Sequence, residues 1–301
     1  MGAISDDTAD VTPFDKRHLR FFGAEPVRIS VDLAGLSHPG RVRSNNEDHF
    51  LIARRMRTRQ VIATNLPREE LPEIDEDAYS MVIADGMGGA AFGELASRLA
   101  LQTAWELGAK EANWPLKVAP GETGEVLEKL QAYAHLLHES LLERIRSDVA
   151  LQGMGTTYTL LYTAGADAFI GHVGDSRAYL YRQDVLTLLT RYHTLAQTMI
   201  DADVPIGGPS EMKMMSRVLV NCLGGQEGPV YVDVEHLKLQ DGDRLLLCTD
   251  GLTDMASPAQ IAATLANHDL AADACSALIE LALVCGGKDN VTAIVADYTF
   301  G

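Results

Sequence analysis

Six acidic residues between positions 47 and 289 each stand where a short apolar run meets a turn, near Gly or Asn. They are Glu47, Asp48, Asp85, Asp175, Asp250 and Asp289. Carboxylates at strand ends are the groups with which a β-rich protein gathers oxygen ligands around hard cations. Because no His or Cys stands beside them at zinc spacing, the set favours Mg²⁺ or Mn²⁺ over zinc. The pattern predicts a metal centre.

Two such cations about 4 Å apart can share one water and lower its pKa enough for it to react near neutral pH. Asp85 is the expected bridge between them, because the following Gly86 leaves its carbonyl free to add a ligand. Asp250 and Asp289 are expected to complete the ligand set of one ion, and Glu47 is expected to bind the other. Such a pair also neutralises a phosphate ester as charge moves to the leaving oxygen.

Two further residues are expected to support this centre without binding metal. Asp48 is the neighbour of a ligand and is placed to hold metal-bound water. Asn290 follows Asp289, and it is interpreted as a turn residue that accepts an unusual backbone angle, as a residue that orients Asp289, or as both.

Arg43 lies four residues before Glu47. In a loop over two metal ions, a guanidinium can clamp two phosphate oxygens through its planar fork. The alternative is a surface Arg paired with Asp48 or Glu47. Taken alone the two interpretations are balanced, and the surrounding metal ligands favour phosphate binding.

The elements that must position these residues follow from the hydrophobic pattern. Apolar residues at helical spacing predict helices over residues 91–107 and 122–151, and again over 258–267 and 270–285. Ser257 with Pro258 is a favourable start for the third of these. Strands are predicted from residue 29, at 49–53, 158–163, 168–173, 178–181, 185–189, 230–237, 244–248 and 291–298. Helix pairs alternate with blocks of strands joined by tight turns, which predicts an α+β sandwich of antiparallel sheets covered by helices.

Composition bounds the class of protein. The net charge of −17 over 301 residues argues against nucleic-acid binding, which needs clustered Lys and Arg. The four cysteines show no zinc or redox spacing, so free thiols in a reducing compartment are expected. No signal peptide or membrane-spanning run is recognised. A cytoplasmic protein that is a monomer by default, binding neither nucleic acid nor membrane, is expected.

The polar residues 1–28 are expected to form an N-terminal extension, and residues 29–301 one domain. Within that domain, Gly153 and Gly155 are expected to turn the chain from the long helix into a buried strand. A nucleotide-binding P-loop is excluded there, because no Lys follows the second Gly. Ser176 likewise lacks the glycine context of a serine nucleophile.

Six short blocks occur in the order seen in the metal-dependent protein phosphatases (the PPM or type 2C class), and residues 33–295 resemble that family. The blocks are Arg43-x-x-x-Glu47-Asp48, Asp85-Gly86-x-Gly88-Gly89, Gly153-Met154-Gly155-Thr156-Thr157, Gly174-Asp175-Ser176-Arg177, Asp250-Gly251 and Asp289-Asn290. One Asp-Gly pair would carry no weight, whereas six blocks in order are specific. Residues 38–43 and Met87 are most similar to the bacterial serine/threonine phosphatase subgroup.

The resemblance implies a four-layer α-β-β-α sandwich, with two antiparallel sheets flanked by helix pairs. It implies hydrolysis of phosphoserine and phosphothreonine in proteins, among them serine/threonine kinases, by a water that two Mn²⁺ or Mg²⁺ ions activate. It assigns Asp85, Asp250, Asp289, Glu47 and the Gly86 carbonyl to these ions, and Asp175 to a third, weaker ion. The catalytic residues that it implies are Arg43, Asp48, Asp85 and Asp250.

Two departures from the family pattern bear on catalysis and specificity. Met87 stands where some members carry a His proposed as the acid for the leaving group, and Met has no proton to give. Tyr192 replaces an Asp before His193, at the start of the segment 195–220, which we call the flap. The alternative function is a phosphatase-like regulatory module that binds phosphoproteins without turnover, which would predict losses among the metal ligands. His172 and His193 are expected to be structural. The flap residues Met212, Met214 and Met215 are expected to pack inside, the alternative being an adaptable peptide-binding surface.

Overall fold

The computed structural model describes residues 29–58, 60–67, 71, 75–88, 92–110, 114–119, 121–225 and 227–301. The predicted N-terminal extension, residues 1–28, lies outside the described residues, as does Gly89 of the second sequence block. Among the described helices, none is both long and apolar enough to cross a membrane.

The described residues form twelve strands and seven α-helices. The strands are β1 Ile29–His38, β2 Asp48–Thr58, β3 Asp75–Met87, β4 Gly155–Thr156, β5 Tyr158–Ala164, β6 Asp167–Val173, β7 Arg177–Arg182, β8 Val185–Leu188, β9 Leu223–Gly224, β10 Asp233–Lys238, β11 Arg244–Cys248 and β12 Val291–Phe300. The helices are α1 Phe92–Lys110, α2 Thr123–Ser147, α3 Leu195–Asp201, α4 Pro209–Met215, α5 Asp250–Thr253, α6 Pro258–Ala266 and α7 Ala271–Val284.

The strands form two antiparallel sheets. The first has the order β1-β12-β11-β7-β8, and the second has the order β10-β6-β5-β3, with β2 paired to β3 and the short strands β4 and β9 at its end. Every strand pairing in both sheets is antiparallel. Tight turns, not helical crossovers, join most neighbouring strands, as the sequence predicts.

Three apolar clusters separate four layers. Ile83, Leu161 and Leu247 belong to the cluster between the two sheets. Leu130 of α2 packs in the cluster on the outer face of the second sheet, together with α1. Leu278 of α7 packs with α6 in the cluster on the outer face of the first sheet. The α-β-β-α sandwich expected from the sequence is therefore confirmed.

The predicted elements are present, but several boundaries differ. Strand β2 extends to Thr58, β10 begins at Asp233, and β3, β4 and β9 were not among the predicted strands. The third predicted helix begins as expected, because Ser257 forms a capping box with Gln260 and Pro258 is the first helical residue. The long helix stops at Ser147, and a single 3₁₀ turn, Val149–Leu151, follows it. The short helices α3, α4 and α5 were not predicted, since runs of four to seven residues are too short to show a helical period.

Candidate active site

Strand alternation brings acidic side chains to one end of the space between the sheets. In β3, Met81 and Ile83 point into the inter-sheet core, so Asp85 two residues later continues the same face. Across the β2–β3 pair, Asp48 is directly opposite Asp85. The inner faces of both strands therefore end in a carboxylate.

The first sheet contributes hydroxyl groups to the same place. Thr249 follows the inward residue Leu247, and Thr292 precedes the inward residue Ile294. Both hydroxyls donate to Oδ2 of Asp48, each at 2.8 Å. Two hydrogen bonds thus fix one carboxylate oxygen of a side chain that is only 3% exposed.

The loop before β5 holds the backbone of Asp85. Thr157 donates its backbone N–H to the Asp85 carbonyl at 2.8 Å and accepts the Asp85 N–H on its hydroxyl at 2.9 Å. Thr156 donates its hydroxyl to the same carbonyl at 2.9 Å. Gly153, with φ of 85°, makes the turn into this segment. The loop therefore acts as the predicted turn and also fixes Asp85.

Glu47 and Gly86 lie very close to the start of α1. A Cβ on Gly86 would lie 2.0 Å from the Gly93 carbonyl oxygen, and a Cβ on Gly93 would lie 2.4 Å from Oε2 of Glu47. Gly86 donates its N–H to the Glu47 carbonyl at 3.1 Å, and Ser97 donates its hydroxyl to the same oxygen at 2.6 Å. Only glycine at both positions leaves room for this approach.

Asn290 ties the loop before β2 to the loop before β12. Its side-chain N–H₂ donates to the carbonyls of Pro39 and Asn45 at 2.9 and 2.7 Å, and its Oδ1 accepts the Glu47 N–H at 2.8 Å. Its own N–H donates to Oδ1 of Asp289 at 2.9 Å. Because Asn290 is not among the residues with positive φ, the contacts favour the orienting role over the unusual-angle interpretation.

Asp250 enters the cluster as the first residue of the short helix α5. Gly251 lets this helix pack against the next loop, since a Cβ there would lie 1.8 Å from the Asn290 carbonyl oxygen. The structure therefore brings Asp250 beside the Asp289–Asn290 turn through one close backbone contact.

Asp175 lies in the turn between β6 and β7, next to Asp250. A cavity of about 190 Å³ opens between these two side chains, Asp254 and the flap helices α3 and α4. Asp254, which directly follows α5, was missed by sequence analysis. A four-residue helix is too short to show a helical period, so no pattern in the sequence marks this residue.

Burial and mutual repulsion raise the pKa values of the clustered carboxyls. The pKa of Asp85 lies well above its usual range, mainly because of desolvation and then because of the charges of Asp48 and Asp250. Desolvation also raises the pKa of Asp250 well above its usual range, with Asp175 as the next cause. The pKa of Asp48 rises to about 7 and that of Asp175 to about 6, both mainly through burial. In the protein alone, burial and mutual repulsion thus disfavour the charged forms of these carboxyls.

The donor set fits hard cations. Every charged donor is a carboxylate, and a divalent cation offsets both their desolvation and their repulsion. The buried Oδ1 atom of Asp48 has no hydrogen-bond partner, so it is an acceptor available to a cation or its water. Within the described residues, however, no three His, Cys, Asp or Glu side chains are placed so that together they could hold a metal ion as they stand.

Arg43 forms an ion pair with an acid that was not among its predicted partners. Its Nη2 atom lies 2.7 Å from Oδ2 of Asp289, and both side chains are partly exposed. The alternative partners, Asp48 and Glu47, were therefore wrong as the ion-pair acceptor. The guanidinium nevertheless lies at the edge of the acid cluster, and the charges of Glu47 and Asp85 raise its pKa in addition to Asp289.

The two buried histidines serve the flap rather than the acid cluster. His172 contacts the Thr159 hydroxyl and the carbonyls of Gly174 and Arg191, and burial lowers its pKa to about 3. His193 accepts the Gly174 N–H at 3.0 Å on Nδ1, and its Nε2 lies 2.9 Å from Oδ2 of Asp233. Both contact sets agree with a structural role.

The substitution noted in the sequence lies just before the flap. Tyr192 stacks under the guanidinium of Arg177, whose central carbon lies 4.6 Å from the ring centroid. The packing expected for the flap methionines is wrong for Met212 and Met214, which are 36% and 62% exposed. Met87 offers no proton at the end of β3, as the sequence indicated.

The comparisons with known proteins agree with this geometry. A family model described as "Protein phosphatase 2C" matches residues 72–279. The serine/threonine protein phosphatase PstP of Mycobacterium tuberculosis is 33% identical over 278 residues, which cover 91% of this chain and 47% of that protein. The chain thus spans about half the length of that relative. The serine/threonine phosphatase stp of Listeria innocua is 32% identical over 220 residues, covering 72% of this chain and 83% of that protein.

Solved structures show the same fold. The M. tuberculosis phosphatase PstP/Ppp has a TM-score of 0.69 at 32% identity, covering 89% of this chain and 98% of that chain. The catalytic domain of PstP in complex with two manganese ions has the same TM-score and identity, with coverage of 90% and 100%. Because the family model matches more than half of the residues and the relatives exceed 30% identity, this chain belongs to the protein phosphatase 2C family.

Proposed function

We propose that this chain is a metal-dependent protein serine/threonine phosphatase that hydrolyses phosphoserine and phosphothreonine. The observation that carries the proposal is the convergence of buried carboxylates, among them Asp48, Asp85, Asp175 and Asp250, which raise one another's pKa. Such a cluster is stable at neutral pH when cations offset its charge. Arg43 at its edge gives the site a group suited to phosphate.

The residues that would hold Mn²⁺ or Mg²⁺ are those at the inner ends of the strands. We assign Asp85, Asp250 and Asp289 to the ligands of the first ion, and Glu47 with the Gly86 carbonyl to the second. Asp175 and Asp250 would hold a third, weaker ion beside the flap cavity. When bound, such ions activate water for attack on phosphorus and offset the charge of the phosphate.

The protein's own groups have three tasks in this reaction. Arg43 would bind two phosphate oxygens through its planar fork once released from Asp289. Asp48, held by two threonine hydroxyls, would orient the attacking water through its free Oδ1. Asn290 keeps the Glu47 loop against Asp289. Met87 cannot protonate the leaving oxygen, so that proton has another source.

Three finer assignments complete the proposal. The substrates include phosphorylated proteins such as serine/threonine kinases, as the family resemblance implies. Residues 29–301 form the phosphatase domain, supported by the continuous sandwich from β1 to β12. The location is cytoplasmic, which the four free thiols of Cys222, Cys248, Cys275 and Cys285 support.

The test is the exchange of Asp250 for Asn, with Asp269→Asn as a matched control at an exposed carboxylate outside the cluster. Phosphate release from a phosphothreonine peptide and from p-nitrophenyl phosphate is measured while Mn²⁺ is titrated. Asp250→Asn should remove most turnover on both substrates, since a core ligand is lost, whereas Asp269→Asn should retain it. Thermal melts check that both variants fold. Calorimetric Mn²⁺ binding with no turnover of any phosphopeptide by the unmodified protein would instead identify a non-catalytic binding module.

A further inference from the structure

The side chain and the backbone of Asp48 are joined by one closed ring of hydrogen bonds. Thr292 donates its hydroxyl to Oδ2 of Asp48 at 2.8 Å, and Oγ of Ser37 lies 2.8 Å from Oγ1 of Thr292. Asn46 donates its side-chain N–H₂ to Oγ of Ser37 at 2.9 Å. The Oδ1 atom of Asn46 accepts the backbone N–H of Asp48 at 3.3 Å. The ring therefore ties the Asp48 carboxylate to β1, to β12 and to the loop before β2.

The pairing of β1 with β12 builds the hydroxyl part of this ring. Ser37 is directly opposite Thr292 in the register of the two strands. Thr292 has no exposed surface, and Asp48 is 3% exposed, so water cannot take the place of the bond between them. Ser37 is only partly buried. The outer member of the hydroxyl pair thus lies nearer to solvent than the inner one.

Each hydrogen of the ring has one direction. An ionised carboxylate only accepts, so the Thr292 hydroxyl must donate to Asp48. A hydroxyl carries a single hydrogen, so Ser37 is the donor in its contact with Thr292. The side-chain nitrogen of Asn46 only donates, and Ser37 accepts from it. No two donors of the ring therefore face each other.

This direction leaves the threonine hydrogens for the carboxylate. Because Ser37 donates to Thr292, the Thr292 hydrogen is not drawn back toward Ser37. Thr249 is arranged in the same way, since its hydroxyl accepts the Thr292 backbone N–H at 3.0 Å and donates to Oδ2 of Asp48. Two correctly directed donors fix the orientation of the carboxylate, and a connected set of hydrogen bonds strengthens each member.

We propose that Ser37 is a positioning residue of the phosphatase reaction, which sets the orientation of Asp48 through the Thr292 hydroxyl. The inference rests on the proposed function, in which Asp48 orients the attacking water. Ser37 is not assigned to metal or to phosphate, and Asn46 fixes the direction of its hydrogen. Loss of the Ser37 hydroxyl should therefore lower kcat and leave KM unchanged, the pattern of an interaction that matters only in the transition state.

The test removes the hydroxyls one at a time and measures phosphate release from a phosphothreonine peptide over a matrix of peptide and Mn²⁺ concentrations. For Ser37→Ala we expect kcat to fall about three- to tenfold, the change that one hydrogen bond produces. For Thr292→Val, which removes the buried donor itself, we expect a fall of about tenfold or more. KM and the Mn²⁺ concentration at half-maximal activity should stay within about twofold in both variants.

Thr292→Ser separates positioning from packing. It keeps the hydroxyl and loses the methyl group, whereas Thr292→Val keeps the shape and loses the hydroxyl. We therefore expect Thr292→Ser to retain most of kcat, and thermal melts check that every variant folds.

The same two strands offer a matched control pair. Ser30 is directly opposite Thr299 near the other end of the β1–β12 pair, and both are exposed. Ser30→Ala and Thr299→Val repeat the two chemical changes on the same strands, away from Asp48. Both should keep the kcat of the unmodified protein.

Three results would overturn the proposal in a protein that turns over the peptide. The first is a folded Ser37→Ala variant with unchanged kcat. The second is a fall in kcat with an equally raised Mn²⁺ requirement, which would show that the hydroxyls support the metal site and not the attacking water. The third is a Thr292→Ser variant as slow as Thr292→Val. Absence of turnover by the unmodified protein at any Mn²⁺ concentration is a different result, because it would defeat the proposed function and this inference with it.

Discussion

Arg43 and Asp289 form an ion pair, with Nη2 of the guanidinium 2.7 Å from Oδ2 of the carboxylate. One partner is the proposed phosphate clamp and the other a proposed metal ligand. The pair is formed between partly exposed side chains, so its own contribution to stability is small. The Arg43 guanidinium and a metal ion should therefore compete for Asp289, because both would bind the same carboxylate oxygen.

Removing the guanidinium should therefore have opposite effects on metal and substrate. For Arg43→Ala we expect the Mn²⁺ concentration at half-maximal activity to fall by about two- to fivefold, as a competing contact worth under 1 kcal/mol is lost. The KM for a phosphopeptide should rise about tenfold or more, because a bidentate charge-assisted contact is missing. Steady-state kinetics over a matrix of Mn²⁺ and substrate concentrations separates the two effects.

Arg43→Lys is the informative companion variant. Its ammonium keeps the charge but lacks the planar fork, so KM should remain raised while charge near the cluster is preserved. A KM unchanged in both variants would contradict the assignment of Arg43 to phosphate.

The acid cluster makes the metal-free protein sensitive to pH. The pKa of Asp48 is about 7 and that of Asp175 about 6, whereas an unfolded Asp titrates near 3.9. The folded state therefore binds more protons than the unfolded state between these values, and stability must fall as pH rises. In EDTA, the free energy of unfolding should increase from pH 8 to 6.5 by about 1.4 kcal/mol per pH unit for each proton taken up.

The lower end of this window is set by His172. Burial lowers its pKa to about 3, so the unfolded histidine takes up a proton near pH 6.5 while the folded one does not. Below that pH its contribution destabilises the fold and opposes the carboxyl effect. Urea unfolding with and without saturating Mn²⁺ provides the measurement, and the metal should flatten the profile. In EDTA, stability that rises with pH between 6.5 and 8 would contradict the raised pKa values.

A single methyl group added at Gly251 should be enough to disturb the proposed metal site. In Gly251→Ala the new Cβ would lie 1.8 Å from the Asn290 carbonyl oxygen, a backbone atom that cannot move without shifting Asp289. We expect a loss of about 2–4 kcal/mol in stability, in the range of strongly overpacked sites, and weaker Mn²⁺ binding. Thermal unfolding and calorimetric Mn²⁺ titration measure the two losses.

Gly124→Ala is the matched control for that substitution. Gly124 is also helical, near the start of α2, and a Cβ there meets no atom within 4 Å. Alanine at that position should stabilise the protein by about 0.5–1 kcal/mol, since it restricts the unfolded chain. Equal melting temperatures for the two variants would show that the close contact at Gly251 is absent.

Asp85 could be predicted as a candidate ligand because it ends the apolar run of residues 81–84 and precedes Gly86. That it faces the inter-sheet core follows from its alternation with Met81 and Ile83, which the structure shows and the continuous apolar run does not. The antiparallel layers followed from the order of helical and strand patterns. The long helix α2 was predicted because its apolar stripe extends over many turns.

The rest depends on contacts between segments distant in sequence. Which acid pairs with Arg43 is decided by the packing of two loops that are 246 positions apart. The threonine hydroxyls that hold Asp48 come from Thr249, directly after β11, and from Thr292 in β12, 201 and 244 positions away. Helix α4 has no buried residue, so no apolar period marks it in the sequence.

The last prediction concerns the base of the flap. The Nδ1 atom of the His193 ring accepts the Gly174 N–H at 3.0 Å. The backbone N–H of His193 donates to the Gly174 carbonyl at 2.8 Å, and its backbone carbonyl accepts the Val220 N–H at 2.9 Å. One residue thus joins both ends of the flap to the turn that carries Asp175. Asp233 fixes the imidazole through Nε2 at 2.9 Å.

His193→Ala should therefore loosen the flap and the Asp175 turn together. We expect a loss of about 1–3 kcal/mol in stability from the unpaired Gly174 N–H and Asp233, and a larger rise in KM for phosphopeptides than for p-nitrophenyl phosphate. Asp233→Asn, which keeps an acceptor beside Nε2, should retain most of both properties. Hydrogen exchange at the amides of residues 174–176 and 194–220 gives a readout independent of activity. Exchange that stays as slow in His193→Ala as in the unmodified protein would show that the flap is anchored elsewhere.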